Sequence, residues 1–236
     1  MYVCKLFIGA ILPYIVLVTL VVGIQHRIST WIKAPQPVSL TLYPTTGWGI
    51  RSKVKEMALF PSLFRSDKLL WSLAWSFHIA LGVVILGHSR AVTFIVDDAL
   101  HFLGVSEAEI EKLSANAGTF AGALLLVSVA ALIIRRLLVN RVRVISKGAD
   151  FVALLIIVAV VVSGNVMRFG LSTIELSQTR EWAFSLVKFS PVIPESPAVM
   201  THLFCAELLL LYLPFSKLMH LGGFFYSLSL VRRSET

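Results

Sequence analysis

Charge is what this chain has least of. Only 14% of its 236 residues are Asp, Glu, Lys or Arg, against 57% apolar, and mean hydropathy is +0.83; soluble domains carry about a quarter charged residues. That scarcity excludes an ordinary water-soluble globule and indicates an integral membrane protein. Cysteine is scarcer still. Cys4 and Cys205 share no metal-site spacing and lie in apolar surroundings, which excludes a disulfide framework and a zinc site. Concentrated charge is missing too: the net charge of +8, with pI near 9.8, is spread over loops and does not form the basic patch that nucleic acid requires. No internal repeat of roughly 20 to 50 residues exists, which excludes a solenoid and gives no sign of an inverted-repeat transporter. No A-x-A-like cleavage site follows the first apolar run, so that run reads as a retained helix and not a signal peptide.

Long apolar runs, by contrast, are plentiful. A hydrocarbon core about 30 Å thick needs roughly 20 apolar residues of helix, and five stretches qualify: Leu6 to Ile24, Leu69 to Val96, Ala115 to Ile134, Phe151 to Met167 and Ala198 to His220. The expected fold is therefore an all-α integral membrane protein, a five-transmembrane-helix bundle occupying residues 1–236 as one domain. Lys and Arg are biased between its two sides. Fifteen lie between spans one and two, between spans three and four, and in the tail with Lys217 at the end of span five counted in, against five in the segments on the other side, with Arg90 inside span two. The positive-inside rule then puts the N-terminus outside and the C-terminus in the cytoplasm, with the chain in the cytoplasmic membrane. The basic residues Arg135, Arg136, Arg141 and Arg143 either set this topology or bind an acidic group at the cytoplasmic rim. The long first cytoplasmic loop, residues 27–68, contains the proline-bearing "KAPQPVSLTLYPTTGWG" and the amphipathic "SKVKEMALFPSLF". It reads as a segment lying on the lipid headgroups, a docking surface for a cytoplasmic partner, or both.

Ionisable groups inside a bilayer are expensive and usually functional. Span two carries His78 and His88; span five carries His202 and His220. Because these spans run in opposite directions, the helix order pairs His88 with His202 near the outer side and His78 with His220 near the inner side. On straight helices 10 positions separate two histidines by about 15 Å and 18 positions by about 27 Å, giving centres on the order of 20 Å apart. Pro214 should kink span five and loosen that estimate. With no Cys, Asp or Glu beside them, two facing imidazoles do not complete a zinc or di-iron site. They do suffice as the axial ligands of a haem, and the absence of a CxxCH motif makes it non-covalent haem b. Gly82 and Gly87 leave room for a flat macrocycle. Glu207, about 7.5 Å of helical rise deeper than His202, should be protonated or hydrogen-bonded, to Asn165 or Ser163 on another helix; alternatively it carries protons. His26 and His101 read as interfacial residues.

At these residues the chain resembles a known family. "FHIALGVVILGH", "RRLLVNRVRVISKGAD" and "HLFCAELLLLYLPFSKLMH" are similar to the gamma subunit of respiratory nitrate reductase, a five-helix cytochrome with two b haems. "SGNVMRFG", "TREWAFSLVKFSP" and "PFSKLMHLGG" look more like the DsrM-type membrane cytochromes of dissimilatory sulfite-reduction complexes, with heterodisulfide reductase cytochromes as near relatives. The resemblance implies axial ligation of an outer haem by His88 and His202 and of an inner haem by His78 and His220. It implies menaquinol or quinone reacting beside the outer haem, with Arg90, Lys112, Glu109 and His101 as candidate polar residues and Glu207 on a proton path. Electrons would pass to a cytoplasmic iron-sulfur subunit resembling heterodisulfide reductase. Further membrane and periplasmic subunits, including a multihaem cytochrome c, would complete a respiratory complex of sulfur metabolism. Substrate chemistry would reside in those partners, this chain being the quinone-reactive electron-transfer subunit of the oxidoreductase. The long first loop departs from the nitrate reductase pattern, which leaves a nitrate reductase gamma subunit as the alternative within the family. A membrane anchor or a proton channel is the alternative outside it.

Overall fold

The structure is a computed structural model that describes residues 2–35, 50–171, 175–220 and 222–223. The described residues are helical with connecting turns and no strand, and five helical stretches are long and apolar enough to cross a membrane. Most large apolar side chains on these helices face outward, among them Leu17, Val18, Phe120 and Leu155, as a lipid-facing surface requires.

The first stretch begins as α1 (Tyr2–Leu6), passes through a π-helical turn at Phe7–Ile11 and continues as α2 (Leu12–Lys33). It extends nine residues past the expected end at Ile24, so the first part of the expected loop is helix. Residues 36–49, which hold most of the proline-bearing section, lie outside the described residues, as do Arg232 and Arg233 of the tail. The amphipathic section forms two short helices, α3 (Ile50–Leu59) and α4 (Pro61–Ser66), hinged at Phe60 with φ of 48°. Trp71 and Trp75 hold this hinge against the next helix by donating indole N–H bonds to the Leu59 and Ala58 carbonyls at 2.7 and 3.1 Å.

The second spanning helix, α5 (Lys68–Ser89), starts where Asp67 caps it by accepting from the Leu70 N–H at 2.8 Å. It stops at Ser89, seven residues before the expected Val96. Ser89 and Thr93 hydroxyls bond the Leu86 and Ser89 carbonyls, offering the backbone a turn in place of more helix. The chain then folds back through the short α6 (Ile95–Phe102). α7 (Glu107–Leu138) is longer than its apolar middle because a Ser106–Glu109 capping box adds polar turns at its start. After the short α8 (Asn140–Ile145), α9 (Gly148–Val166) runs into a π turn at Met167–Leu171. Arg168 on that turn ties it back to α7 by donating to Thr119 and to the Ser114 and Ala115 carbonyls. α10 (Leu176–Val187) and α11 (Pro197–Tyr212) follow, with 3-10 turns at Leu213–Phe215 and Lys217–Met219.

Helix α5 packs on α7, α7 on α9, α9 on α11, and α11 on α2. The α5–α7–α9 seam is built from small residues, with Ala80 and Ala121 buried beside Leu125, which lets the backbones approach. α5 and α11 are not a closely packed pair. α5 begins the packing sequence and α11 stands next to its last member, α2, and the histidines lie on α5 and at α11 with the turns that follow it.

Candidate functional site

The fold brings His78 beside His220, ring centres 5.9 Å apart, and His88 beside His202, 6.1 Å apart. This antiparallel arrangement depends on how the end of α11 is broken. Pro214 ends the regular helix, and Ser216, extended at φ −107° and ψ 173°, redirects the chain before His220. The straight-helix separation of about 27 Å is thereby corrected: the broken end brings His220 back beside His78. Gly23 of α2 makes that end possible, because a Cβ there would lie 2.6 Å from the Pro214 Cβ.

Hydrogen bonding sets the tautomer of each ring. Nδ1 of His78 lies 2.7 Å from the Ala74 carbonyl, that of His88 2.8 Å from Val84 and that of His220 3.2 Å from Lys217. A carbonyl only accepts, so the ring nitrogen donates, leaving Nε2 with a free lone pair. His202 differs, its Nδ1 being 3.0 Å from the Ser163 Oγ. Ser163 gives its one proton to the Val160 carbonyl, so it accepts from the ring, and Nε2 is again free. Gly164 supplies the space, since a Cβ there would sit 3.1 Å from His202 Cε1.

Among the described residues no three His, Cys, Asp or Glu side chains gather as a metal site. Each pair is a two-nitrogen donor set, suited to a metal whose other ligands come from its own macrocycle. The spacing fits: two metal–nitrogen bonds of about 2 Å, with roughly 1 Å from nitrogen to ring centre at each end, separate the centres by about 6 Å. There is also room. Nothing lies within 4 Å of a Cβ added to Gly82 or Gly87, and the His88 and His220 rings are exposed within an apolar bundle.

Ionic clusters hold both ends of this cleft. At the His78–His220 end, Arg135 donates to Asp67 at 2.6 Å and Lys217 to Asp150 at 2.9 Å, while Arg136 lies 3.6 Å from Asp150. Arg135 and Arg136 are thus engaged within the chain. The Leu70 N–H, with Arg135 beside it, holds the Asp67 carboxyl below the usual range. Phe60 and Phe77 both set ring edges against His78. At the other end Arg90 is buried and bonded through Nε to Asp97 at 2.5 Å, so it does not reach out to the headgroups. Arg180 joins the same carboxylate and donates to the Arg90 carbonyl at 2.8 Å. Burial pushes the Asp97 carboxyl up, but the hydrogen bonds from Arg90 and Arg180 outweigh it and hold it below its ordinary value.

The remaining sequence candidates are dispersed. His101 bonds the Val105 carbonyl and Glu107, and Glu109 serves the α7 cap. Lys112 lies in a helical turn of α7, not in a loop, and is exposed. Glu207 is 4% exposed and neither carboxyl oxygen has a partner among the described residues, so the expected bond to Asn165 or Ser163 is not made. Asn165 instead donates to the Gly122 and Val161 carbonyls. Sequence reasoning missed Asp97, Arg180 and the use of Ser163; only a contact separated by many residues identifies them.

A helical bundle of membrane-spanning length with paired histidines on two facing helices defines a class of membrane protein built around two internal donor sets. The chain belongs to the nitrate reductase gamma subunit family, whose model matches residues 50–235. It is 29% identical over 260 residues to a protein of Archaeoglobus fulgidus named Hdr-like menaquinol oxidoreductase cytochrome b-like subunit, covering 93% of this chain and 77% of that one. A protein of the same name from Archaeoglobus profundus is 27% identical over 264 residues, covering 94% and 77%.

Proposed function

We propose that this chain is the dihaem b cytochrome of a quinol-oxidising membrane complex. His88 and His202 hold one haem near the outer face, and His78 and His220 hold the other near the cytoplasm. The observation that carries this reading is the two imidazole pairs, ring centres about 6 Å apart in each, with no hydrogen bond to any of the four Nε2 atoms among the described residues. The relatives' printed name supports menaquinol as the reductant and a heterodisulfide-reductase-like protein as the partner. The Lys and Arg bias supports the orientation.

A haem bound at each pair supplies one-electron transfer, which splits the two electrons of a quinol into single steps across the bilayer. The chain's own residues do the rest. The Ala74, Val84 and Lys217 carbonyls and the Ser163 hydroxyl orient the four rings. Phe60 and Phe77 shield the inner pair from water, and the Asp150–Lys217 contact anchors the turn that carries His220. Quinol reacts at the outer end, where Lys112, His101 and Glu109 are among the exposed polar groups, and Glu207 accepts and passes a proton within the bundle. Electrons leave on the cytoplasmic side to an iron-sulfur subunit in a complex of sulfur metabolism that includes a multihaem cytochrome c.

A pyridine haemochrome assay with a reduced-minus-oxidised spectrum tests this. Two b haems per chain are expected; a folded, haem-free protein would refute it.

A further inference from the structure

The amphipathic section before the second spanning helix is held in one particular place. Phe60, between α3 and α4, has φ of 48°, a left-handed backbone that a bulky residue keeps only where its surroundings impose it. Three side chains impose it here. The Glu56 carboxylate accepts from both the backbone N–H and the hydroxyl of Ser62, closing the turn across its two helices. The Trp71 and Trp75 indoles of α5 bond the Leu59 and Ala58 carbonyls. Trp71, Trp75 and His78 recur at spacings of four and three, so the turn is pinned to the face of α5 that carries the inner histidine. The Phe60 ring consequently stands perpendicular to that of His78, 5.3 Å between centres.

The outward side of the same elbow is basic and apolar. Residues 50–68 hold five Lys or Arg against two acids, and both acids are engaged inside the chain: Glu56 by Ser62, Asp67 by Arg135 and the Leu70 N–H. Arg51, Lys55 and Arg65 are exposed and have no acidic partner among the described residues. Arg51, Val54, Lys55 and Ala58 follow at helical spacing along one exposed face of α3, and Leu59 and Phe64 remain 47% and 43% exposed beside the turn. Such a surface fits anionic headgroups or a protein with carboxylates around an apolar centre. Position decides between them. A headgroup layer requires the section to lie along the lipid-facing rim, whereas it is pinned to the histidine face, with Phe60 against His78. A molecule seated on the elbow is separated from the inner pair by little more than the Phe60 ring, a position that suits an electron acceptor and offers a lipid nothing.

We propose that the α3–α4 elbow is the docking surface for the cytoplasmic electron acceptor, and that the acceptor meets it with carboxylates around an apolar patch. The proposal rests on the dihaem reading, in which His78 and His220 hold the haem nearer the cytoplasm, and adds to it the surface and the charge of the partner. Arg51, Lys55 and Arg65 steer the partner, and Leu59 and Phe64 bury against it. The constrained turn at Phe60 fixes that surface relative to His78, so docking also sets the distance to the donor.

The test places Leu59→Cys and Phe64→Cys singly in the full-length chain. Inside-out vesicles of native membranes are treated with a membrane-impermeant maleimide, the wild-type chain with Cys4 and Cys205 giving the background. Both positions should be protected in complete membranes and labelled after a urea wash removes peripheral subunits. Protection that survives the wash assigns the elbow to lipid and overturns the proposal. Labelling before the wash shows the surface uncovered and also overturns it. The charge is tested with Arg51→Glu/Lys55→Glu/Arg65→Glu in unwashed vesicles. Quinol should still reduce its haems as in wild type, but their reoxidation by the acceptor should slow at least about tenfold, a difference that shrinks as salt is raised. Equal reoxidation rates overturn the acidic partner, and so does the same slowing from Arg141→Glu/Arg143→Glu on α8, which assigns the effect to the basic rim at large. Folded wild-type chain without haem overturns the dihaem reading instead, and the labelling pattern still judges the docking surface.

Discussion

Ser163 on α9 accepts a hydrogen bond from the ring of His202 on α11, 3.0 Å away, and hands its own proton to the Val160 carbonyl. Of the four histidines in the cleft, His202 is the one whose Nδ1 is held from a neighbouring helix; the other three bond carbonyls of their own segment. The outer pair consequently depends on α9–α11 packing in a way the inner pair does not.

Ser163→Ala should loosen the outer haem by about tenfold or more, the usual effect of losing a partner behind a metal-bound histidine, and leave the inner haem in place. A hydroxyl acceptor withdrawn from Nδ1–H makes the ring a weaker donor, so the outer potential should rise. Redox titration of the two haems in the variant checks both effects.

Gly23→Val should disturb the opposite pair. Its Cβ would lie 2.6 Å from Pro214, and α2 must move away or the turn carrying His220 must shift. Overpacking of this kind costs about 1–3 kcal/mol. The expected result is a lower melting temperature in detergent with selective loss of the haem bound by His78 and His220.

Asp97 gives the protein an acid limit at its outer end. Its carboxyl titrates lower in the folded chain than the roughly 3.9 of a free aspartate. Its contribution is therefore present above that value and lost as pH falls through the lower folded one. Asp97→Asn, which strands two arginines, should cost about 3 kcal/mol at neutral pH. The gap between variant and wild type should close below about pH 4, measured as melting temperature against pH.

Glu207 has no partner for either oxygen among the described residues, so Glu207→Gln should leave haem content and melting temperature unchanged. If Glu207 carries a proton, the variant should slow haem reduction by quinol severalfold and leave reduction by dithionite as in wild type. Equal rates with quinol would remove Glu207 from the proton path.

The bundle was legible in the sequence because its signal is local: each span is an uninterrupted apolar run, and burial in lipid needs little more. The ends were less legible. The expected second span ran on to Val96 because Ala91 to Val96 is mostly apolar, yet Arg90 is drawn back by Asp97, seven residues on, and the helix stops at Ser89. The pairing of the histidines followed from helix direction alone. Their support did not: Ser163 and His202 are 39 residues apart, and Arg180 and Asp97 are 83, distances over which no periodicity speaks. Glu207 illustrates the reverse error. A buried acid was expected to find an amide or hydroxyl, but Asn165 spends its donors on the backbone of α7 and α9, and Ser163 is occupied by His202.

The central claim is that each histidine pair holds one haem. Its most direct measurement is the low-temperature reduced spectrum, with haem content, of the four single His→Leu variants at positions 78, 88, 202 and 220. His88→Leu and His202→Leu should lose the same haem, and His78→Leu and His220→Leu the other, each variant keeping one b haem per chain. Loss of different haems from His88→Leu and His202→Leu would contradict the account.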